Sequence, residues 1–164
     1  MKDPLRKVRT LNEVLEWRRR LREHTRSLAV TNGCFDLLHR GHAQYLYEAS
    51  GKADELLVLV NSDDSVRRVK GPGRPIIGEA DRVFMLASLE AVRAVVVFDT
   101  MDCTRQLQSL KPDVYVKGGD YTTETLVQKE YKLLVAMGCR IELIPPVPGM
   151  STTALVERIQ TTGT

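Results

Sequence analysis

Five short apolar runs rich in β-branched residues, at residues 27–31, 55–60, 94–98, 113–116 and 140–144, are separated by stretches of helical periodicity. Each run suits one buried strand, because continuous apolar character marks strands covered on both faces. Helices are expected near 62–69, 79–89, 102–110, 122–137 and 151–161, with another after Gly41, where His42, Ala43, Leu46, Ala49 and Ser50 follow helical spacing. Strands alternating with helices predict an α/β fold, a Rossmann-like three-layer sandwich around a five-stranded parallel sheet. Right-handed crossovers restrict its topology, and the order 3-2-1-4-5 puts the reversal of chain direction beside the first strand. Ligands of such sheets bind at that reversal, outside the carboxyl ends of the strands.

The segment after the first strand therefore carries the most functional weight. Asn32-Gly33 is expected to end the strand, with Gly33 free to turn sharply or to let a ligand approach the backbone. His39 and His42 then fall at or near a helix N-terminus, where backbone N–H groups and the helix dipole favour an anion. Their i, i+3 spacing lets both imidazoles serve one group of phosphate oxygens. The same spacing also fits a helix cap plus a core residue. A two-histidine metal site is disfavoured: Cys34, Cys103 and Cys139 are scattered singly, and His24 lies in a different helix. No metal ligands are assigned.

Gly33-Cys34-Phe35-Asp36 followed by His39-Arg40-Gly41-His42 resembles the signature of the cytidylyltransferase-like nucleotidyltransferases, whose His-x-Gly-His motif binds a triphosphate. Val60-Asn61-Ser62-Asp63, the loop from Lys70 to Ile76, Asp81-Arg82, Val116-Lys117-Gly118-Gly119-Asp120-Tyr121 and the stretch from Pro148 to Leu155 make the chain similar to the adenylyltransferase domain of bacterial heptose-synthesis enzymes. The resemblance spans about residues 7–160. It implies AMP transfer from ATP to D-glycero-D-manno-heptose 1-phosphate, for ADP-heptose and lipopolysaccharide core synthesis. It also implies His39, His42 and Lys70 as catalytic residues. Asn32, Gly33, Cys34, Phe35, His39, His42, Lys117, Gly118, Gly119, Asp120, Gly149, Ser151, Thr152 and Thr153 would bind the nucleotide, and Asp36, Asn61, Lys70, Arg74 and Arg82 the acceptor. Magnesium would arrive with the triphosphate, and a homodimer is expected. The heptose enzymes often join this domain to a sugar kinase, so a separate kinase is expected to supply the substrate here.

Some of these residues also have plain structural readings. The loop from Lys70 to Pro75 reads as a solvated turn whose Lys70 and Arg74 can also meet a phosphorylated substrate. Ser151, Thr152 and Thr153 open the last expected helix, as caps or as an anion cradle. Neither a Walker A sequence nor Gly-x-Gly-x-x-Gly occurs, which counts against a P-loop kinase and a dinucleotide oxidoreductase. Glycerol 3-phosphate cytidylyltransferases share several motifs, but usually carry Arg where this chain has Pro146 and lack the Lys117-Gly118-Gly119 form of the loop. A nucleotide-binding regulatory module without turnover would be expected to show a damaged histidine pair, and this pair is intact.

With 164 residues and 43% hydrophobic content, the chain suits a single domain, a flanking N-terminal helix in 1–27 and a catalytic core in 28–164. No signal-peptide or membrane-span pattern appears and the cysteines are odd in number, so a cytoplasmic protein is expected. The formal charge of +3 is local: residues 1–27 hold nine Lys or Arg against four Asp or Glu, which leaves the remainder slightly acidic and argues against nucleic acid as partner. Thr10 and Glu13 have capping-box spacing. Leu11, Val14, Leu15, Trp17 and Leu21 share a helix face with Arg18 and Arg22, whose stems are expected to pack while their heads stay solvated. RNA or acidic-membrane binding through Arg18-Arg19-Arg20 is the competing reading of this helix.

Overall fold

The apolar runs become five parallel strands in the computed structural model, which describes residues 3–162. These are β1 (Leu28–Gly33), β2 (Glu55–Asn61), β3 (Ala94–Phe98), β4 (Val114–Gly118) and β5 (Arg140–Ile144), in the expected order β3-β2-β1-β4-β5. A 3-10 turn at Pro4–Lys7 precedes α1 (Leu11–Glu23). The remaining helices are α2 (Arg40–Ser50), α3 (Asp63–Lys70), α4 (Glu79–Ser88), α5 (Thr104–Leu110), α6 (Gln128–Ala136) and α7 (Thr152–Thr162).

The pleat of β2 shows why its sequence is apolar throughout. Leu57 and Leu59 pack on one side with Val14 and Trp17 of α1, Leu107 of α5 and Leu134 of α6. Leu56, Val58 and Val60 pack on the other with Leu46 and Ala49 of α2 and Val83 and Leu86 of α4. Each such side chain contributes roughly 1.5–3 kcal/mol of transfer free energy, so both faces of the sheet must be covered.

Several expected boundaries move. β1 continues through Asn32 and Gly33, which pair with Leu59 and Val60, so the strand delivers Asn32 directly to the sheet edge. The helix expected over 122–137 is confined to α6. Thr122 and Thr125 instead bond each other's backbone and side chains, and the Gln128 amide donates to the carbonyls of Thr123, Glu124 and Leu126. α5 begins after Asp102, whose carboxylate accepts the Thr104 N–H at 3.0 Å.

α1 forms with its capping box as expected, Glu13 accepting from Thr10 N–H at 2.7 Å and Thr10 Oγ1 from Glu13 N–H at 3.3 Å. The reading of Arg18 is corrected. It is 3% exposed, and its guanidinium donates to the Leu110 and Lys111 carbonyls at the end of α5 while pairing with Asp113 at 2.9 Å. Five N–H donors and the negative end of a helix dipole explain why the head is drawn inward. Arg22 is exposed and also donates to the Lys111 carbonyl. Arg19 pairs with Glu16 and Glu23, so the three-arginine run is largely engaged by the chain itself.

Candidate active site

The carboxyl ends of β1, β2, β4 and β5 open on a cleft of about 790 Å³ that includes the β1/β4 reversal point. That volume lies in the range of small-molecule sites. Its lining brings together Asn32, Gly33, Cys34, Phe35, Asp36, His39 and His42 from the β1–α2 connection, Asn61, Lys70 and Arg74 from the β2 side, Lys117, Gly118, Gly119 and Asp120 after β4, and Ser151, Thr152 and Thr153 at the start of α7. Two residues expected in the site are not in that lining. Gly149 instead makes a turn at φ +74°.

Arg82 is the second and is corrected to a structural tether. It is 1% exposed, and its donors are taken by the carbonyls of Ile77, Cys34 and Asn61 and by the Asp63 carboxylate. With four of its five N–H groups bonded and almost no exposed surface, it ties the ends of β1 and β2 to the loop before α4. Asp36 is similarly engaged: it accepts from Arg74 at 2.8 Å and from the N–H groups of Ile76 and Ile77 at 2.8 and 3.0 Å. Burial works against this carboxylate, but the Ile77 N–H, Arg74 and the Ile76 N–H outweigh it and hold the group below its ordinary range. Asp36 thus anchors the loop that carries Lys70 and Arg74.

His39 is both cap and cleft residue. Its Nδ1 accepts the Gly41 N–H at 3.0 Å, so the neutral ring carries its proton on Nε2, a donor. The His42 ring lies 4.0 Å from it, centroid to centroid, tilted by 33°. Burial, then His39 and Lys70, push the His42 pKa down to about 4 against the Leu37 backbone, so His42 is neutral near pH 7 in the ligand-free cleft. The helix N-terminus offers fewer free donors than expected, since Gly41 and His42 N–H groups are already bonded to His39.

Ser151 caps α7 by accepting the Ala154 N–H at 3.0 Å. The glycine readings also change. A Cβ at Gly33 would press on the Phe35 ring at 3.0 Å, and one at Gly118 would overlap the Tyr45 ring, so protein rings occupy those spaces. Nothing in the spacing of α2 distinguishes Tyr45 as a cleft aromatic from a core one; Tyr121, which ends the motif after β4, and Glu130 of α6 also line the cleft without having been singled out. Lys117 donates to Asn32 Oδ1 at 2.8 Å, with its ammonium 5.2 Å from the Tyr121 ring. Among the described residues no three His, Cys, Asp or Glu side chains converge as a metal set. No described helix is long and apolar enough to cross a membrane.

Residues 30–158 match the family model described as cytidylyltransferase-like. The chain is 48% identical over 150 residues to the bifunctional protein HldE of Syntrophotalea carbinolica, covering 92% of this chain and 30% of that protein. It is 52% identical over 134 residues to the bifunctional protein HldE of Geotalea uraniireducens, covering 82% and 27%. It therefore spans about 30% of the length of these curated relatives. Among solved structures, the lipopolysaccharide core biosynthesis protein of Thermoplasma volcanium superposes with a TM-score of 0.60 at 29% identity, covering 74% of this chain and 97% of that one. A pantoate-β-alanine ligase of Francisella tularensis, at 13% identity and a TM-score of 0.62, covers 96% of this chain and 78% of its own and shares the fold.

Proposed function

The chain belongs to the cytidylyltransferase-like family of nucleotidyltransferases, and from that premise we propose that it transfers AMP from ATP to a heptose 1-phosphate, releasing pyrophosphate. The observation that carries this reading is the gathering of His39, His42, Lys70 and Lys117 around one cleft that the hydroxyl-rich start of α7 also lines. The relatives named HldE and the lipopolysaccharide core protein direct the choice of acceptor towards heptose.

A sugar phosphate oxygen would form the new bond to the α-phosphorus as the α–β phosphoanhydride bond breaks. The electron pair leaves with pyrophosphate. A phosphate monoester is already largely dianionic near neutral pH, its second pKa being about 6, so alignment and charge neutralisation carry the reaction. His39, donating through Nε2, and His42 would stabilise the α-phosphate and the departing oxygens. Lys70, at the end of α3, would counter charge on the attacking phosphate, as would Lys117 at the end of β4. Asp36 is spent on Arg74 and two N–H groups, Glu130 is hydrogen-bonded to Cys103, and no three His, Cys, Asp or Glu among the described residues converge. These residues do not make a cation cage of their own; magnesium would enter as the counter-ion of the triphosphate.

Pyrophosphate release is the test, with heptose 1-phosphate, glycerol 3-phosphate and related acceptors each crossed with ATP, GTP and CTP. Release is expected with ATP and heptose 1-phosphate. His39→Ala and His42→Ala should each lower kcat by about 10²–10³-fold while remaining folded. Absence of release with heptose 1-phosphate and every nucleotide overturns the proposed acceptor.

A further inference from the structure

A line of polar groups runs inward from the cleft. Lys117 Nζ donates to Asn32 Oδ1, and the Tyr115 hydroxyl donates to that same oxygen at 2.7 Å. The Tyr115 hydroxyl also lies 3.3 Å from Glu130 Oε2, while Glu130 Oε1 accepts from the Cys103 N–H at 2.8 Å and thiol at 3.2 Å. Glu130 is 2% exposed and Tyr115 fully buried. Burying a carboxylate is costly, and the oxygen that accepts from Cys103 at the start of α5 would be equally served by a neutral amide. The negative charge itself therefore needs a reason.

Lys117 supplies one. Burial disfavours its ammonium and leaves its pKa below the ordinary lysine value, while Glu130 from α6, Cys103 from the start of α5 and Cys34 from the loop after β1 work in the opposite direction, Glu130 most. The remaining neighbours on that side, Asn32, Tyr115 and the Tyr121 ring, are neutral polar or aromatic groups. We propose that Glu130 is a positioning residue for the nucleotide site: from the cleft wall it holds the bridging Tyr115 hydroxyl, whose one proton is shared between its carboxylate and Asn32 Oδ1, beside the oxygen that takes Lys117, and it provides the negative countercharge nearest that ammonium within the buried chain. Glu130 affects turnover only where the cleft transfers a nucleotidyl group, the reading on which this inference rests.

Glu130→Gln separates charge from shape, because the amide oxygen still accepts the Cys103 N–H. Competitive acetylation of the ligand-free chain, over about pH 6 to 11 and read by mass spectrometry on the Lys117 peptide, measures the ammonium without any substrate. In Glu130→Gln the Lys117 midpoint is expected to fall by about one pH unit, with Glu130→Asp falling less. The alkaline limb of kcat/KM for the nucleotide should move with it. Tyr115→Phe retains the charge and removes the bridge, so it should raise the nucleotide KM several-fold with little change in the midpoint. An unmoved midpoint in folded Glu130→Gln overturns the countercharge; an unmoved KM in Tyr115→Phe overturns the bridge. If Glu130→Gln does not fold, Glu130→Met, which also removes the charge, carries the midpoint comparison, and Tyr115→Phe carries that of the bridge. A shifted labelling midpoint in a chain without turnover supports the Glu130–Lys117 coupling and counts against nucleotidyl transfer.

Discussion

His42 shows most directly how the cleft treats charge. Its ring is disfavoured as a cation by burial, by His39 stacked against it and by Lys70, so its folded pKa of about 4 lies below the ordinary 6.5. The sign follows from linkage: the unfolded chain binds a proton near pH 6.5 that the folded chain refuses until about pH 4. Stability from this group is therefore fully present above pH 6.5 and is lost as the pH falls to about 4. Urea unfolding midpoints of the ligand-free chain should decline over that window, and His42→Asn should flatten the decline; an equal slope in both chains rejects the assignment. The motif itself was readable from residue type and spacing, because histidines one turn apart at a helix start have few roles. The purpose of Gly118 was not. Sequence shows an absent Cβ, while the structure shows Tyr45, 73 positions away, filling the space. Arg82 misled for a related reason: an arginine beside phosphate motifs looks like a ligand until its donors are found occupied.

At the scale of elements, apolar runs and helix periodicity specified all five strands and their layer structure, since each strand must bury both faces. Connections were harder to read. Whether 122–127 continues a helix depends on threonine side chains competing for backbone groups, which periodicity does not report. Loops around the cleft are held by two buried charges in particular. Asp36 anchors Ile76 and Ile77, and Arg82 joins the Cys34 and Asn61 carbonyls to Asp63. Removing one member of a buried, hydrogen-bonded pair leaves the others unsatisfied, at a cost of about 3–5 kcal/mol. Arg82→Met should lose stability on that scale in urea or thermal unfolding, although it touches no substrate in the proposed reaction. A loss below about 1 kcal/mol would be the value of an exposed pair and would contradict its role as a tether.

Across the whole molecule, the two terminal helices contrast. α1 was expected on the flank, yet Val14, Trp17 and Leu21 are built into the core beneath Leu28, Leu57 and Phe98, making it part of a layer. Its basic residues follow from that position: Arg18 closes the end of α5, and Arg19 is paired along its own helix. α7 has no buried side chain, yet its first residues line the same cleft as the histidines. An element with little buried apolar surface opens at low free energy, and one that gains contacts with a bound ligand is closed by mass action. Amide hydrogen exchange should therefore be fast throughout α7 in the ligand-free chain and slow at 152–155 when ATP binds. Exchange in α1 should be slow in both states, because its opening requires exposure of the core around the single tryptophan, Trp17. If ATP left 152–155 unprotected, the hydroxyl-rich helix start would be no part of the triphosphate site, and the cleft would have to hold the phosphates with His39, His42 and the two lysines alone.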